Sequence, residues 1–139
     1  MIQQITVTTG TRGLHEITDT LAASLMASST QSGVESGICT VFIPHTSASL
    51  LIQENADLNA RCDLENWMHH LVPENDPMYT HTQEGPDDMP SHIKSMLTAT
   101  TLTIPFIDGR LALGTWQGVF LWEHRTGIDR RQLLIHIGA

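Results

Sequence analysis

The repeat of hydrophobic and polar positions changes several times along the chain, and each change predicts a new element. Gln4 to Thr9 alternates with Ile5 and Val7 on one face, which predicts a strand covered on one side. Gly10 and Gly13 signal turns, and Leu14 to Ile17 reads as a second short strand. Thr18 is placed to cap a helix whose stripe of Leu21, Leu25 and Met26 runs until just before Gly33. Ile38 to Ile43 is apolar on both faces, as a central strand is, and Pro44 stops it. Leu50 to Ile52 predicts a further strand. Asp57 then caps a predicted helix reaching about Leu71, with Leu64, Trp67, Met68 and Leu71 as its buried stripe and Pro73 as its end.

From Glu74 to Pro86 the periodicity disappears into a polar stretch with Pro77, Gly85 and Pro86, long enough to be a binding loop rather than a plain connector. Asp87 or Asp88 can cap a short helix through Leu97, with Pro90 tolerated in its first turn. The remainder predicts strands at Thr101 to Ile107, Arg110 to Leu113, Thr115 to Glu123 and Arg130 to Ile137, the first two joined by the hairpin signal Asp108-Gly109. The sum is an α+β fold, a mostly antiparallel β-sandwich with about three helices, in a single domain over residues 1–139.

A chain of 139 residues and 15.4 kDa supports one ordinary core, with 40% apolar and 16% charged residues and no low-complexity tract to suggest disorder. The longest apolar run, Val119 to Trp122, is far below the roughly 20 residues of a spanning helix. Met1-Ile2-Gln3-Gln4 lacks a basic region followed by an apolar one, so no export segment is expected. A formal net charge of -8 argues against a phosphate-backbone binder, so nucleic acid is a poor partner. The acids crowd between Glu54 and Asp88, while Arg110, Arg125, Arg130 and Arg131 put most of the bases in the last third, where an anionic ligand is expected. Cys39 and Cys62 form no C-x-x-C pair and read as small buried hydrophobes in a reducing cytoplasm.

Eight histidines are the main anomaly. His69, His70 and His136 read as solvated surface. His45 follows the Pro44 stop, His81 lies in the long loop, and His92 sits on the short helix. Each is near an element end, where a side chain is held firmly with its tip open, so the three could close one face of a catalytic metal such as zinc or magnesium. The alternative is three unrelated loop histidines. Thr46-Ser47 could offer a hydroxyl nucleophile, but the G-x-S-x-G elbow is absent. Gly114-Thr115-Trp116-Gln117-Gly118 would let backbone approach a ligand or another chain, or is a strand entry with a packing Trp. Glu123, His124 and Arg125 could bind an anion, but a surface ion pair is the simpler reading.

Four stretches taken together carry a resemblance: Val41-Phe42-Ile43-Pro44-His45-Thr46-Ser47-Ala48, Glu54-Asn55-Ala56-Asp57, the run from Glu84 to Lys94, and Gly114 to Gly118. In order and spacing they resemble the YjbQ-like family, whose members are often labelled secondary thiamine-phosphate synthase. The resemblance implies a compact α+β sandwich, a homotrimer, and a pocket near subunit contacts in which His45, His81 and His92 match the family's histidines. It also implies a polar pocket of Glu54, Asn55, Lys94, Glu123 and Arg125. Its activity would join a pyrimidine diphosphate to a thiazole phosphate with a divalent metal. The other reading is a protein that binds a small anionic metabolite without turning it over. Where relatives commonly carry Glu-Gly-Asn, this chain has Glu84-Gly85-Pro86, and proline offers neither a backbone donor nor an amide.

Overall fold

The structure is a computed structural model that describes residues 2–139. Along the chain run β1 (Ile2–Thr8), β2 (Gly13–Glu16), α1 (Thr18–Ser32), β3 (Gly37–Phe42), β4 (Ala48–Glu54), α2 (Leu58–Leu71), α3 (Asp88–Leu97), β5 (Thr101–Ile107), β6 (Arg110–Leu111), β7 (Gln117–Glu123) and β8 (Arg130–Gly138). They form a five-stranded sheet, β1-β8-β3-β5-β6, and a three-stranded sheet, β2-β7-β4. Every pairing between these strands is antiparallel, in agreement with the predicted class. Asp108 and Gly109 both have positive φ, as a two-residue hairpin loop between β5 and β6 requires.

Side-chain parity on β7 organises the layers. Val119 and Leu121 point into the main core, with Leu21 and Leu25 of α1, Val41 of β3, and Leu133 and Ile135 of β8. Phe120 and Trp122 point the other way, into a second cluster with Leu14, Met68 of α2 and Val72, against which Ile93 of α3 packs. The three-stranded sheet is thus covered on both faces, which is why β7 is buried from Gly118 onward. The same alternation sends Glu123 toward the five-stranded sheet and His124 toward α2 and α3.

Several local expectations need correction. Thr18 does not cap α1; Ile17 occupies that position, and the Thr18 hydroxyl donates to Glu16 and accepts from the Val119 amide, tying α1 to β7. Met26, one position round from Leu25, is exposed. On α2, Asp57 does accept from the Asn59 amide as a cap, but of the predicted stripe only Met68 is buried. Leu64 is half-buried, and Trp67 and Leu71 are exposed. Trp67 and Leu71 lie about 100° round from Met68 and Val72, past the edge of the narrow sheet on which α2 rests. Cys39 is buried, and burial pushes its thiol up to about 11, but Cys62 is exposed rather than a core residue. Among the described residues no helix is long and apolar enough to cross a membrane.

Candidate functional site

The polar stretch between α2 and α3 is an ordered loop. Tyr79 donates its hydroxyl to the Pro73 carbonyl, and Asp76 accepts from the Met78 amide, so the chain is already turned when it reaches His81. On α3, Asp88 and His92 are one turn apart and share a face. Loop and helix together bring His81 Nε2 to 2.7 Å and His92 Nε2 to 3.2 Å from the same oxygen, Asp88 Oδ2. One ligand atom from each residue lies within 4.8 Å of the others, and the imidazole rings are 5.4 Å apart.

Proton accounting shows what this cluster suits. The Nδ1 of His92 is 3.1 Å from the Thr46 carbonyl, which can only accept, so Nδ1 carries a hydrogen. In the neutral ring Nε2 is then a lone pair aimed at a carboxylate oxygen. That arrangement is repulsive unless a proton or a cation lies between. A histidine whose far nitrogen donates to a carbonyl is oriented as metal ligands commonly are, and the two imidazoles with one carboxylate are a donor set that metals accept. Asp88 is buried, which by itself raises its pKa. The His81 hydrogen bond and the charges of His92 and Arg125 outweigh burial and hold the carboxyl below the usual range, ready as an anion. His81 is exposed and His92 half-buried, so one side of the cluster stays open.

Arg125 secures the arrangement from behind. Its guanidinium donates to the Glu84 carbonyl at 2.7 Å and stands 3.3 Å from Asp88 Oδ1 and 3.5 Å from Asp87 Oδ1. Asp87 accepts in addition from the amide and hydroxyl of Thr126. Burial pushes the Asp87 pKa up, but these hydrogen bonds and Arg125 bring it below its ordinary value. Beside His81 opens a cavity of about 430 Å³ lined by Tyr79, Gly85, Pro86 and Met89.

The other predicted site residues lie elsewhere. Within the chain His45 does not join His81 and His92, whose third neighbour is the Asp88 carboxylate instead. The β3–β8 register carries His45 beside Gln132, whose amide donates to His45 Nε2 at 2.9 Å. Burial and then Arg131 lower the His45 pKa, in keeping with a neutral acceptor. Glu54 and Asn55 are at the far end of β4: Ala48 pairs with Glu123 but Glu54 pairs with Gln117, a separation of roughly 20 Å. Asn55 donates to Glu16 and packs on Gly118, where any side chain would strike it, so this glycine accommodates its own chain. Trp116 is exposed rather than packed.

Glu123 and His124 are buried, so neither belongs to a surface ion pair. Glu123 accepts from Arg131 on both oxygens, from the Thr9 hydroxyl and from the Arg125 amide, which leaves it no capacity as an acid or base. Ser47 is buried as well, its hydroxyl accepting from Arg131 beside a cavity that His45 also lines. Lys94, two positions beyond His92, lies about 200° round α3 and faces a different cavity. Asp88 is the member of the cluster that the histidine pattern misses; its i, i+4 spacing to His92 is the available signal.

The family model described as "UPF0047 protein YjbQ-like" matches residues 3–139. A UPF0047 protein of Synechocystis sp. is 48% identical over 97% of this chain and 89% of its own. The UPF0047 protein YjbQ of Salmonella typhimurium is 46% identical over 94% of this chain and 91% of its own. Among solved structures, a conserved hypothetical protein of Thermus thermophilus superposes with a TM-score of 0.84 at 33% identity, over 98% of this chain and 99% of that one.

Proposed function

From the premise that the chain belongs to the UPF0047 YjbQ-like family, we propose that His81, Asp88 and His92 hold a divalent metal with which the protein acts on a small phosphorylated metabolite. The observation that carries this reading is the His92 ring, anchored through Nδ1 on the Thr46 carbonyl with Nε2 directed at Asp88. Two imidazole donors favour zinc over magnesium, which prefers oxygen ligands. A metal bound there supplies Lewis-acid polarisation of a phosphate oxygen. Asp88 supplies the negative charge of the donor set. Arg125 is a positioning residue: through the Glu84 carbonyl, Asp87 and Asp88 it holds the loop against α3. The cavity beside His81 receives the organic part of the substrate.

The reaction in this reading is the one the family resemblance implies, joining a pyrimidine diphosphate to a thiazole phosphate with release of pyrophosphate. Assembly as a homotrimer belongs to the same reading, supported by Trp67, Leu71 and Trp116, each more than half exposed in the single chain. Free thiols at Cys39 and Cys62 fit a reducing cytoplasm. A binding role without turnover is the second reading, favoured by the saturation of Glu123 and by the absence of any base bonded to the Ser47 hydroxyl among the described residues.

Complementation of a thiamine-requiring strain separates the two. The wild-type gene is expected to restore growth, and His92→Ala and Asp88→Asn to fail at equal protein levels. Rescue by all three would contradict the metal role; rescue by none would leave the binding role.

A further inference from the structure

We propose that the cavity on the opposite face of α3 from the metal cluster is a second, separate site, and that Lys94 there takes the phosphate group of a small anionic ligand. The cavity measures about 210 Å³ and is lined by Arg12, Glu65, His69, Lys94, Glu123 and His124, among others. At roughly 30 Å³ per water it has room for a phosphate group and several further heavy atoms.

Lys94 is the reason to expect an anion. It is only 4% exposed, yet no hydrogen bond or ion pair holds its ammonium among the described residues. Nor is Nζ sealed in the protein, since the side-chain nitrogens and oxygens buried without a partner are Ser29 Oγ and Arg125 Nε. The amine therefore opens into the cavity. None of the nearby carboxylates pairs with it: Glu123 is held by Arg131, Glu74 by Arg12, and Asp87 by Thr126 and Arg125, while Glu65, which lines the cavity with Glu123, accepts from the Leu14 amide. His124, beside it, is held neutral by burial and by Lys94 itself and offers no negative charge.

An ammonium withdrawn from water without a counterion is strongly unfavourable, and a resident anion removes that cost. Arg12 and His69 add donors at the same cavity, and the Asn66 amide and Trp122 ring complete a polar wall with one flat apolar face. Several converging donors suit a phosphate group, with three oxygens to satisfy, better than a carboxylate. The site does not depend on the metal reading, because helix α3 stands between the two.

The test is the thermal stability of the full chain titrated with inorganic phosphate at constant ionic strength, chloride serving as the control anion. Saturating phosphate is expected to raise the melting temperature of the wild type by about 3–10 °C. His92→Ala should keep that shift, since the metal ligands are not used. Lys94→Met should fold, be at least as stable as the wild type without phosphate, and lose the shift, with phosphate affinity by calorimetry down at least about 100-fold. Arg12→Gln, at the more exposed end, should weaken phosphate about tenfold and keeps the test decisive if Lys94→Met folds poorly. No phosphate shift in the wild type, or the same shift in Lys94→Met or Arg12→Gln, would overturn the proposal.

Discussion

Arg131→Met is expected to cost the fold about 3–5 kcal/mol, a large share of the stability of a domain of this size. The reason is the isolation of the partner it would abandon. Glu123 is fully buried, and Arg131 meets it with Nε at 2.7 Å and a terminal nitrogen at 2.6 Å, a two-pronged pair in which that same terminal nitrogen also donates to Ser47. This pair closes the end of the core between the two sheets, where β7 and β8 both turn their inner faces. Without the guanidinium, the Glu123 charge keeps only the Thr9 hydroxyl and the Arg125 amide. Removing both charges together, in Glu123→Gln with Arg131→Met, should cost markedly less than the two single losses added, because no uncompensated charge remains. Urea unfolding of the four proteins gives the coupling directly. A loss below about 1 kcal/mol for Arg131→Met would show that the pair behaves like an exposed one.

The second large effect is a loss of stability in mild acid that traces to His124. Burial, then Lys94 and Arg131, lower its pKa from 6.5 to about 3. Between those values the unfolded chain binds a proton that the folded chain excludes. The stability linked to His124 is therefore complete above pH 6.5 and is lost progressively as the pH falls toward 3. At about 1.4 kcal/mol per pKa unit the full loss is on the order of 5 kcal/mol. Asp87 and Asp88 act lower: their carboxyls are held below the ordinary 3.8, so their contribution is present above that value and disappears as the pH falls through their folded pKa values. His45 is lowered in the same sense as His124 and adds to the slope below pH 6.5. Urea midpoints of the wild type between pH 7 and pH 4, measured in chelator, should fall more steeply than those of His124→Asn. Parallel curves would remove His124 as the cause.

Much of the architecture is legible in the sequence because local and tertiary demands agree. Pro44 ends β3, Asp57 caps α2, and Asp108-Gly109 turns β5 into β6, each through a backbone property that packing does not override. The predicted strand Leu50 to Ile52 is in fact β4, Ala48 to Glu54. Its polar ends disguise it, since Ser49 is buried only because its hydroxyl meets His124 Nε2 at 2.8 Å. The α2 stripe fails for the opposite reason: Trp67 and Leu71 follow helical spacing, but the sheet beneath is too narrow to cover them.

The site is half legible. His81 and His92 stand out by their places near element ends, yet nothing in spacing distinguishes His45, which strand register delivers to Gln132 instead. Asp88 reads as a helix cap because an acid at a helix start usually is one, whereas here its carboxylate faces two imidazoles and Arg125. The burial of Glu123 and His124 is hidden in the sequence because Arg131, eight residues beyond Glu123 in the chain, supplies the charge that makes Glu123 tolerable inside.

The most direct test of the metal reading is the stoichiometry of bound metal in protein purified without a histidine tag. The wild type and His45→Ala should each retain about one zinc-class ion per chain, while His81→Ala, Asp88→Asn and His92→Ala should lose it with their fold intact by circular dichroism. A metal-free wild type, or His45→Ala losing the ion while Asp88→Asn keeps it, would contradict the assignment.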